Sequence, residues 1–427
     1  LGKRSHVSGL TNGQNIEYSA NITLNGQSFS ALIDTGSSDL WVAGTVPSAA
    51  STGKTAVVNY AVGSAEGTIK TASLDFLGYT IPDQAYIEVA PSSSNPEGQG
   101  IIGLGPNSVS QVYNTLGDTS TGYSPINRIF RQNVSSPNFL SVLLGRSDDP
   151  DDPFPGQITV GEVLSGYQNI SSQPRVNVTY SNDQHWQVLL DPNGVLGPDG
   201  KPFNYTTGVS STTNKLQLTA IFDTGFSLPQ VPRAISDGIY GRFEGASFKN
   251  VSNVGEVWIL PCNLEVNITI KFGGTAYPMH PLDTNFDIGL NQVDANGNKL
   301  CVGSLQPITT AAATSFDIIL GMSWLRNVYL MVNYGDFIDG TTNRTTPFVQ
   351  ALPTTDPAAA HQDFVQARLN GIDTTGSQRL LNAPVTSPSN PESIPNSNTG
   401  SWFSRHWVII AIAAASTACG LLLLTLI

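Results

Sequence analysis

The chain has 427 residues, which is too long for one hydrophobic core and predicts two or three domains. Charged residues make up only 12%, whereas 41 glycines and 27 prolines favour an all-β fold rich in turns. The net charge of −12 argues against nucleic acid as a partner. The repulsion between the acidic groups of such a surface weakens as they become protonated, so we expect the fold to tolerate mildly acid conditions.

Strand-like runs fill the first half of the chain. An alternating run over 16–24 ends at Asn25-Gly26, a dipeptide typical of a hairpin turn. The run over 29–33 then leads directly into Asp34-Thr35-Gly36. Further strands are predicted over 56–60, 67–76, 85–89, 100–105, 139–144 and 156–160, with a short helix over 124–131.

The second half starts near Ile170 and repeats this design. The run over 216–222 leads into a second Asp-Thr-Gly, which starts at Asp223. A helix is predicted over 233–240, directly after Pro232. Other strands are predicted over 185–188, 257–260, 266–272, 300–305, 316–321 and 329–334, with a short helix over 323–326.

Both ends of the chain carry signals for processing or attachment. The chain begins with Leu1, so we expect a fragment or a partly processed form, and Lys3-Arg4 is interpreted as a dibasic site that ends a pro-segment at residues 1–4. Residues 351–402, rich in Pro, Ser, Asn and Thr over 383–401, are predicted to form a low-complexity stalk.

Residues 403–427 are predicted to be a hydrophobic membrane segment. The stretch 407–427 has no charge and is long enough to cross a bilayer as one helix. Alternatively, the segment is a signal that is exchanged for a glycolipid anchor, which the lack of a cation after it favours slightly.

Cysteines and glycosylation motifs predict a secretory route. Cys262 and Cys301 can close a loop across 39 positions, whereas Cys419 lies in the apolar tail and is expected to be unpaired. Asn-x-Ser/Thr motifs occur eight times, at Asn21, Asn133, Asn169, Asn177, Asn204, Asn250, Asn267 and Asn343. The predicted location is the cell surface or the extracellular side of a membrane, with the vacuole as the alternative.

The most informative feature is a near repeat of the two Asp-Thr-Gly segments, 31–42 and 220–231. Each follows an apolar run, and the two acids, Asp34 and Asp223, are therefore expected to come from two lobes and to meet in one site. Two carboxyl groups at hydrogen-bonding distance share one proton over a broad acid range. The charged member can take a proton from water while the other donates to a carbonyl oxygen, with no metal or cofactor.

On these residues the chain resembles the pepsin-like (A1 family) aspartic endopeptidases, of the fungal membrane-attached type. The resemblance covers 14–335 and also rests on Leu40-Trp41-Val42, on Tyr60-Ala61-Val62-Gly63-Ser64, and on Gly103 and Gly321. It implies an all-β, bilobal fold with few short helices, in which two β-barrel-like lobes, 5–168 and 169–350, flank a central cleft. It also implies a protein or peptide substrate and a monomer.

The resemblance assigns supporting roles around the two acids. Thr35 and Thr224 would cross-link the turns, Gly36 and Gly225 would allow close backbone approach, and Ser38 and Ser227 would hydrogen bond the outer carboxylate oxygens. Gly103 and Gly321 would pack behind the turns.

A flap hairpin is expected over the cleft. Tyr60 would point its hydroxyl at the Trp41 indole, and Gly63 and Ser64 would follow in the same hairpin. Only 25 residues, 35–59, separate Asp34 from Tyr60, which predicts a short loop and a more open cleft.

Three residues at two sites depart from the family pattern. Phe226, expected in the substrate cleft, stands where Ser or Thr is usual, so that a polar substrate contact is lost, and Ala61-Val62 replaces the usual Gly-Thr of the flap.

Other ionisable residues are interpreted as structural. Asp39 and Asp75 are predicted to be solvated acids at strand ends, the acidic run 148–152 an exposed loop without calcium spacing, and His185 and His280 structural residues.

The sequence therefore predicts an aspartic endopeptidase that cleaves proteins at acid pH. The alternative is a catalytically silent protein of the same fold that uses the cleft for binding. A glycosidase that uses two carboxylates is not favoured, because nothing in that chemistry requires the duplicated Asp-Thr-Gly turn.

Overall fold

The computed structural model describes residues 7–60, 63–134, 137–150, 153–179, 186–308, 315–342 and 345–394. Within these ranges the chain forms 27 strands and six α-helices, of which the longest has 13 residues. The prediction of a mostly β chain with few short helices is confirmed.

The first half contains a hairpin whose turn, Asn25-Gly26, has φ angles of 47° and 81°. These left-handed angles fit a two-residue turn that suits Asn-Gly. The elements of this half are β1 (Val7–Gly9), β2 (Thr11–Gly13), β3 (Glu17–Leu24), β4 (Gln27–Asp34), β5 (Leu40–Ala43), β6 (Ala50–Asn59), β7 (Ser64–Phe76), β8 (Tyr79–Val89), β9 (Gln99–Gly103), α1 (Gln111–Leu116), α2 (Pro125–Gln132), β10 (Phe139–Leu143) and β11 (Gln157–Val160).

Eight of these strands form one sheet in the order β2-β3-β4-β9-β5-β8-β7-β6. Strand β3 also pairs with β7, so that the sheet curls back on itself. Most neighbours are antiparallel, but β4 runs parallel to β9 and β5 runs parallel to β8. The carboxyl ends of β4 and β9 therefore lie at the same edge, where Asp34 is paired with Gly103.

The second half repeats the parallel pair, because β15 runs beside β24 with Phe222 opposite Leu320. Helix α3 has the predicted bounds and begins directly after Pro232. The elements are β12 (Val176–Asn177), β13 (Gln187–Leu189), β14 (Val195–Leu196), β15 (Thr219–Phe222), β16 (Gln230–Val231), α3 (Arg233–Tyr240), β17 (Ser247–Val251), β18 (Gly255–Pro261), β19 (Thr269–Phe272), β20 (Thr275–Pro278), α4 (Pro281–Thr284), β21 (Asn285–Phe286), β22 (Leu300–Gly303), β23 (Gln306–Pro307), β24 (Ile318–Leu320), α5 (Met322–Leu325), β25 (Val328–Asn333), β26 (Phe348–Pro353), α6 (Pro357–Leu369) and β27 (Glu392–Ile394).

A six-stranded sheet, β1-β11-β10-β25-β26-β12, joins the two halves. Its central pair, β10 and β25, comes from opposite halves and places Val142 opposite Leu330. Every residue of β25 is buried, so this sheet forms part of the core beneath both lobes. Elsewhere in the second lobe a disulfide joins Cys262, just after β18, to Cys301 in the neighbouring strand β22, with 4.9 Å between the Cα atoms. The predicted disulfide is confirmed.

The prediction of a stalk over 351–402 is wrong as far as residue 394. Residues 351–353 belong to β26, and α6 buries Ala360 and Phe364 against the body. The amides of Leu381 and Val385 donate to carbonyls of Arg242 and Gly241 at 2.8 Å each. Strand β27 then pairs parallel to β17. We call residues 380–394 the strap.

Composition misled the prediction for a physical reason. The strap is too poor in apolar residues to form a core of its own, but it does not need one, because backbone and polar side chains bind it to a lobe that is already folded. Ser387 donates its amide and its hydroxyl to Asp237 at 3.1 Å each, and Lys249 pairs with Glu392 at 2.5 Å.

The described ranges contain no helix with the length and apolar character needed to cross a bilayer. The predicted pro-segment end, 1–4, and the predicted membrane segment, 403–427, lie outside the described residues.

Candidate active site

The two Asp-Thr-Gly turns occupy equivalent places in the two halves. Asp34 ends β4, and Asp223 directly follows β15. Each of these strands is a buried apolar run that is held in parallel by a later strand. The acids are 0% and 2% exposed, so both are removed from bulk water.

The threonines of the turns cross-link the two halves, as the family resemblance implies. Thr35 N–H donates to Thr224 Oγ1, and Thr224 N–H donates to Thr35 Oγ1, both at 3.0 Å. The Thr35 hydroxyl also donates to the Phe222 carbonyl at 3.1 Å, and the Thr224 hydroxyl to the Ile33 carbonyl at 2.8 Å. Four hydrogen bonds thus fix the relative position of the two acids.

Glycine is required next to the acids because the backbone and carboxyl groups crowd together. The Gly36 amide donates to Asp34 Oδ1 at 2.9 Å, and the Gly225 amide donates to Asp223 Oδ1 at 2.7 Å. A Cβ atom at Gly225 would lie 2.6 Å from Asp34 Oδ1, which is too close for any other residue. The side chains of Asp34 and Asp223 hydrogen bond to each other.

The two carboxyl groups differ in how readily they lose a proton. Burial raises the pKa of both. At Asp223 the charge of Asp34 raises the pKa further, well above its usual range. At Asp34 the Ser37 hydroxyl and the Gly36 amide oppose the rise. Asp34 is therefore the charged member, and Asp223 keeps the shared proton, an arrangement that suits general acid–base chemistry.

The structure corrects both predicted serine contacts. Ser37, not Ser38, donates its hydroxyl to Asp34 Oδ2, at 2.5 Å. The third residue after the acid turns back toward the carboxylate, whereas the Ser38 hydroxyl lies against Gly105. In the second turn, Ser227 donates to the Ile16 carbonyl rather than to Asp223.

Gly103 and Gly321 pack behind the turns as expected. A Cβ atom at Gly103 would lie 2.5 Å from the Asp39 amide nitrogen, and one at Gly321 would lie 2.5 Å from the Phe226 carbonyl oxygen. Sequence reasoning missed Gly105, whose amide donates to the Ser37 carbonyl at 2.8 Å and holds the residue that bonds Asp34.

Tyr60 lies at the tip of the β6–β7 hairpin. Its amide donates to the Gly63 carbonyl at 3.1 Å, and Asn59 pairs with Ser64; Ala61 and Val62 lie outside the described residues. The Trp41 indole N–H donates to the Tyr60 hydroxyl at 2.6 Å.

The hydroxyl of Tyr60 stays protonated beside the acids. Burial, followed by the charges of Asp34 and Asp39, raises the pKa of Tyr60 well above its usual value.

Phe226 occupies the position in the second turn that Ser37 occupies in the first. Its side chain is 2% exposed and packs against Ile221, Phe316 and Ile319. The ring is therefore part of a small, buried apolar cluster of the second half.

The prediction that Asp39 is a solvated acid at a strand end is wrong, because this residue is buried. Its carboxylate accepts hydrogen bonds from the Ser110 hydroxyl at 2.6 Å and from the Gln111 and Val112 amides at 2.8 and 2.9 Å. It thus satisfies the first amides of α1. These partners lie more than 70 residues away in sequence, and no local signal points to them. Asp75 is exposed, as predicted.

His280 lies near Asp149 and Asp363, with potential ligand atoms of the three residues within 4.8 Å of one another. The imidazole Nδ1 accepts the Leu282 amide at 3.1 Å, which assigns the proton to Nε2, 3.3 Å from Asp363. Burial, with the Arg146 charge, lowers the pKa of His280 to about 3, so the ring is neutral. This geometry fits a structural hydrogen bond, as predicted for His280; His185 lies outside the described residues.

The predicted glycosylation positions lie on the surface wherever the structure describes them. Exposed asparagines are found at seven of the eight motifs, and Asn343 lies outside the described residues. In the acidic run 148–152, residues 148 and 150 are exposed and 149 is half-buried, and 151–152 lie outside the described residues.

Comparison with known proteins agrees with this geometry. A family model described as eukaryotic aspartyl protease matches residues 46–337. The chain belongs to the eukaryotic aspartyl protease family. The matched range contains Asp223, and Asp34 lies shortly before it.

Fungal peptidases are among the similar sequences. Major aspartyl peptidase 1 of Cryptococcus neoformans var. grubii is 24% identical over 334 residues, covering 72% of this chain and 64% of that protein. The aspartic-type endopeptidase ctsD of Aspergillus fumigatus is 26% identical over 307 residues, covering 71% and 56%. The chain therefore spans about 60% of the length of these two relatives.

A solved structure shows the same fold. The aspartic proteinase from Irpex lacteus superposes with a TM-score of 0.59 at 21% identity, over 83% of this chain and 99% of that one. The predicted bilobal, pepsin-like fold class is confirmed.

Proposed function

We propose that this protein is an aspartic-type endopeptidase that hydrolyses peptide bonds of proteins at acid pH, with Asp34 and Asp223 as its catalytic residues. The observation that carries the proposal is the buried, hydrogen-bonded carboxyl pair, to which each half contributes one acid on an Asp-Thr-Gly turn. The family match supports the same conclusion.

The unequal protonation of the pair suggests how each acid acts. The Asp34 carboxylate takes a proton from a water molecule, and the resulting hydroxide attacks the peptide carbonyl carbon. Asp223 donates its proton to the carbonyl oxygen, which gives a neutral tetrahedral intermediate. Collapse of this intermediate moves a proton to the leaving amine and restores the pair.

Substitution of either acid tests the proposal. Asp34→Asn and Asp223→Asn should each abolish cleavage of a denatured protein between pH 3 and 6, while the exposed Asp75→Asn serves as a control that keeps activity. Full activity in either dyad variant would refute the assignment.

The alternative is a catalytically silent protein of the same fold that uses the cleft for binding. It is favoured by Phe226, which stands in the second acid turn where the family usually has Ser or Thr. It predicts that the wild-type chain binds a statine-type inhibitor, which mimics the tetrahedral intermediate, and yet cleaves no peptide. Cleavage by the wild type, lost in both Asn variants, excludes it.

We further propose a monomer that follows the secretory route to the cell surface and is attached to a membrane through residues 403–427. Seven exposed glycosylation asparagines and the disulfide support an oxidising, secretory compartment. A shift in mass after endoglycosidase treatment tests glycosylation, and mass spectrometry of the mature C-terminus distinguishes a spanning helix from a glycolipid anchor. Sedimentation tests the monomer.

A further inference from the structure

The two acid turns match at three positions and differ at the fourth. Both read Asp-Thr-Gly, and in both the glycine amide donates to Oδ1 of its acid. The fourth residue is Ser37 in the first turn and Phe226 in the second. Ser37 donates its hydroxyl to Asp34 Oδ2, and Phe226 has no group that could make the equivalent bond to Asp223.

No other hydroxyl of the described residues takes over this role. The donors to Asp223 are the amides of Gly225 and Gly36, together with the partner carboxyl of Asp34. The ring of Phe226 is packed against Ile221, Phe316 and Ile319 and has no hydrogen-bond donor to offer Asp223.

We propose that Phe226 is a positioning residue that keeps the shared proton on Asp223 and thereby extends cleavage to higher pH. The inference rests on the proposed peptidase activity. A hydroxyl donor stabilises a carboxylate relative to the neutral acid, so the chain stabilises negative charge on Asp34 and not on Asp223. The pair stops working when Asp223 loses its proton, and the missing hydroxyl postpones that loss.

The charged surroundings do not obscure this effect. Asp34 is the ionisable residue of the described chain that acts on Asp223. Tyr60, on the hairpin, remains neutral, and the charge of Asp39 acts on Tyr60. Burial raises the pKa of both acids, so the difference between the two depends on the charge of Asp34 and on the donors to each acid.

The test compares the pH dependence of kcat/KM for a fluorogenic peptide, because its two limbs report the ionisations of the free enzyme. Phe226→Ser places a hydroxyl beside Asp223, and we expect the upper limb to move down by about one pH unit with the lower limb unchanged. Phe226→Thr fills more of the space left by the ring and should give the same shift. It provides the test if the serine variant folds poorly.

Two variants provide matched controls. Phe226→Ala removes the ring without adding a donor, and its upper limb should stay close to that of the wild type. Ser37→Ala removes the donor from Asp34, so the lower limb should rise by about one pH unit while the upper limb stays. Thermal unfolding confirms that each variant is folded.

Equal shifts in Phe226→Ser and Phe226→Ala would overturn the proposal, because packing rather than the hydroxyl would then be responsible. Unshifted limbs in active serine and threonine variants would also overturn it. If the wild type cleaves nothing, the proposed activity fails, but this inference is still tested by the pH dependence of statine-type inhibitor affinity, which should shift in the same way.

Discussion

Asp283 and Arg326 form a salt bridge that is sealed from solvent, with 2.6 Å between Asp283 Oδ1 and Arg326 Nε and side-chain exposures of 2% and 0%. The other oxygen of Asp283 accepts from Arg146 of the first half at 2.5 Å. Arg326 also donates to the Asn15 carbonyl at 2.5 Å. The carboxylate of Asp283 is therefore shared by the two halves of the molecule.

Replacing Asp283 with Asn should strongly destabilise the protein. The buried guanidinium of Arg326 would lose its counter-charge, which typically costs about 3–5 kcal/mol, and Arg146 would keep only its longer contact with Asp149 at 3.9 Å. Urea unfolding at pH 7 measures the loss, with the exposed Asp75→Asn as the control. A loss under 1 kcal/mol would contradict the prediction.

The same residue predicts a pH dependence. Although burial opposes it, the charges of Arg146 and Arg326 lower the pKa of Asp283 below its ordinary value of 3.8. Its stabilisation is thus fully present above the unfolded pKa and is lost only as the pH falls through the lowered folded pKa. The stability gap between wild type and Asp283→Asn should stay constant from pH 7 to about 5 and shrink below 4, as measured by urea unfolding at each pH.

The stability contributed by Glu17 should depend on pH in the opposite direction from that contributed by Asp283. Burial raises its pKa from 4.5 to about 8, so its contribution to stability is full below pH 4.5 and is lost as the pH rises toward 8. Glu17→Gln should remove this loss, which amounts to at most about 1.4 kcal/mol per pH unit. Melting temperatures between pH 4 and 9 measure it, and the exposed Glu66→Gln is the control. Parallel curves for wild type and Glu17→Gln would refute the expectation.

The threonine cross-link predicts a difference between two variants at one position. Thr224→Val leaves the Thr35 amide and the Ile33 carbonyl without partners, which should cost about 2–5 kcal/mol. It should also reduce kcat/KM at least tenfold by loosening the acid pair. Thr224→Ser keeps the hydroxyl and should lose much less of either; equal losses in the two variants would show that the hydrogen bonds are not the cause.

Hydrogen exchange tests the strap. Amides such as Leu381 and Val385 should exchange slowly, since both donate to the body. Lys249→Glu would place like charges on the paired positions 249 and 392 and should speed exchange over 392–394. The double variant Lys249→Glu, Glu392→Lys should restore the slow rate. Fast exchange of the whole strap in the wild type would support a free stalk instead.

The sequence predicted the features that repeat and missed those that depend on distant partners. Asp34 and Asp223 were recognisable because the same turn follows a buried strand twice. The choice between Ser37 and Ser38 was not, because adjacent serines look equal until the turn fixes which hydroxyl points back at the acid. Asp39 was missed because its partners, at 110–112, are brought to it only by the folded chain.

The strap shows the limit of composition as a guide. Pro and Ser predict a segment without its own core, and that much holds. They carry no information about whether an existing lobe offers carbonyls, such as those of Gly241 and Arg242, to bind it.

Docking of the strap also limits the distance between the folded body and the uncharged C-terminal stretch. With Ile394 paired to the body, only residues 395–406 remain between it and the uncharged stretch that begins at Trp407. Twelve residues reach at most about 43 Å when fully extended. If that stretch is embedded in lipid as proposed, the folded body would stay within about this distance of the bilayer. The substrates of the proposed peptidase would then be proteins that come that close to the membrane.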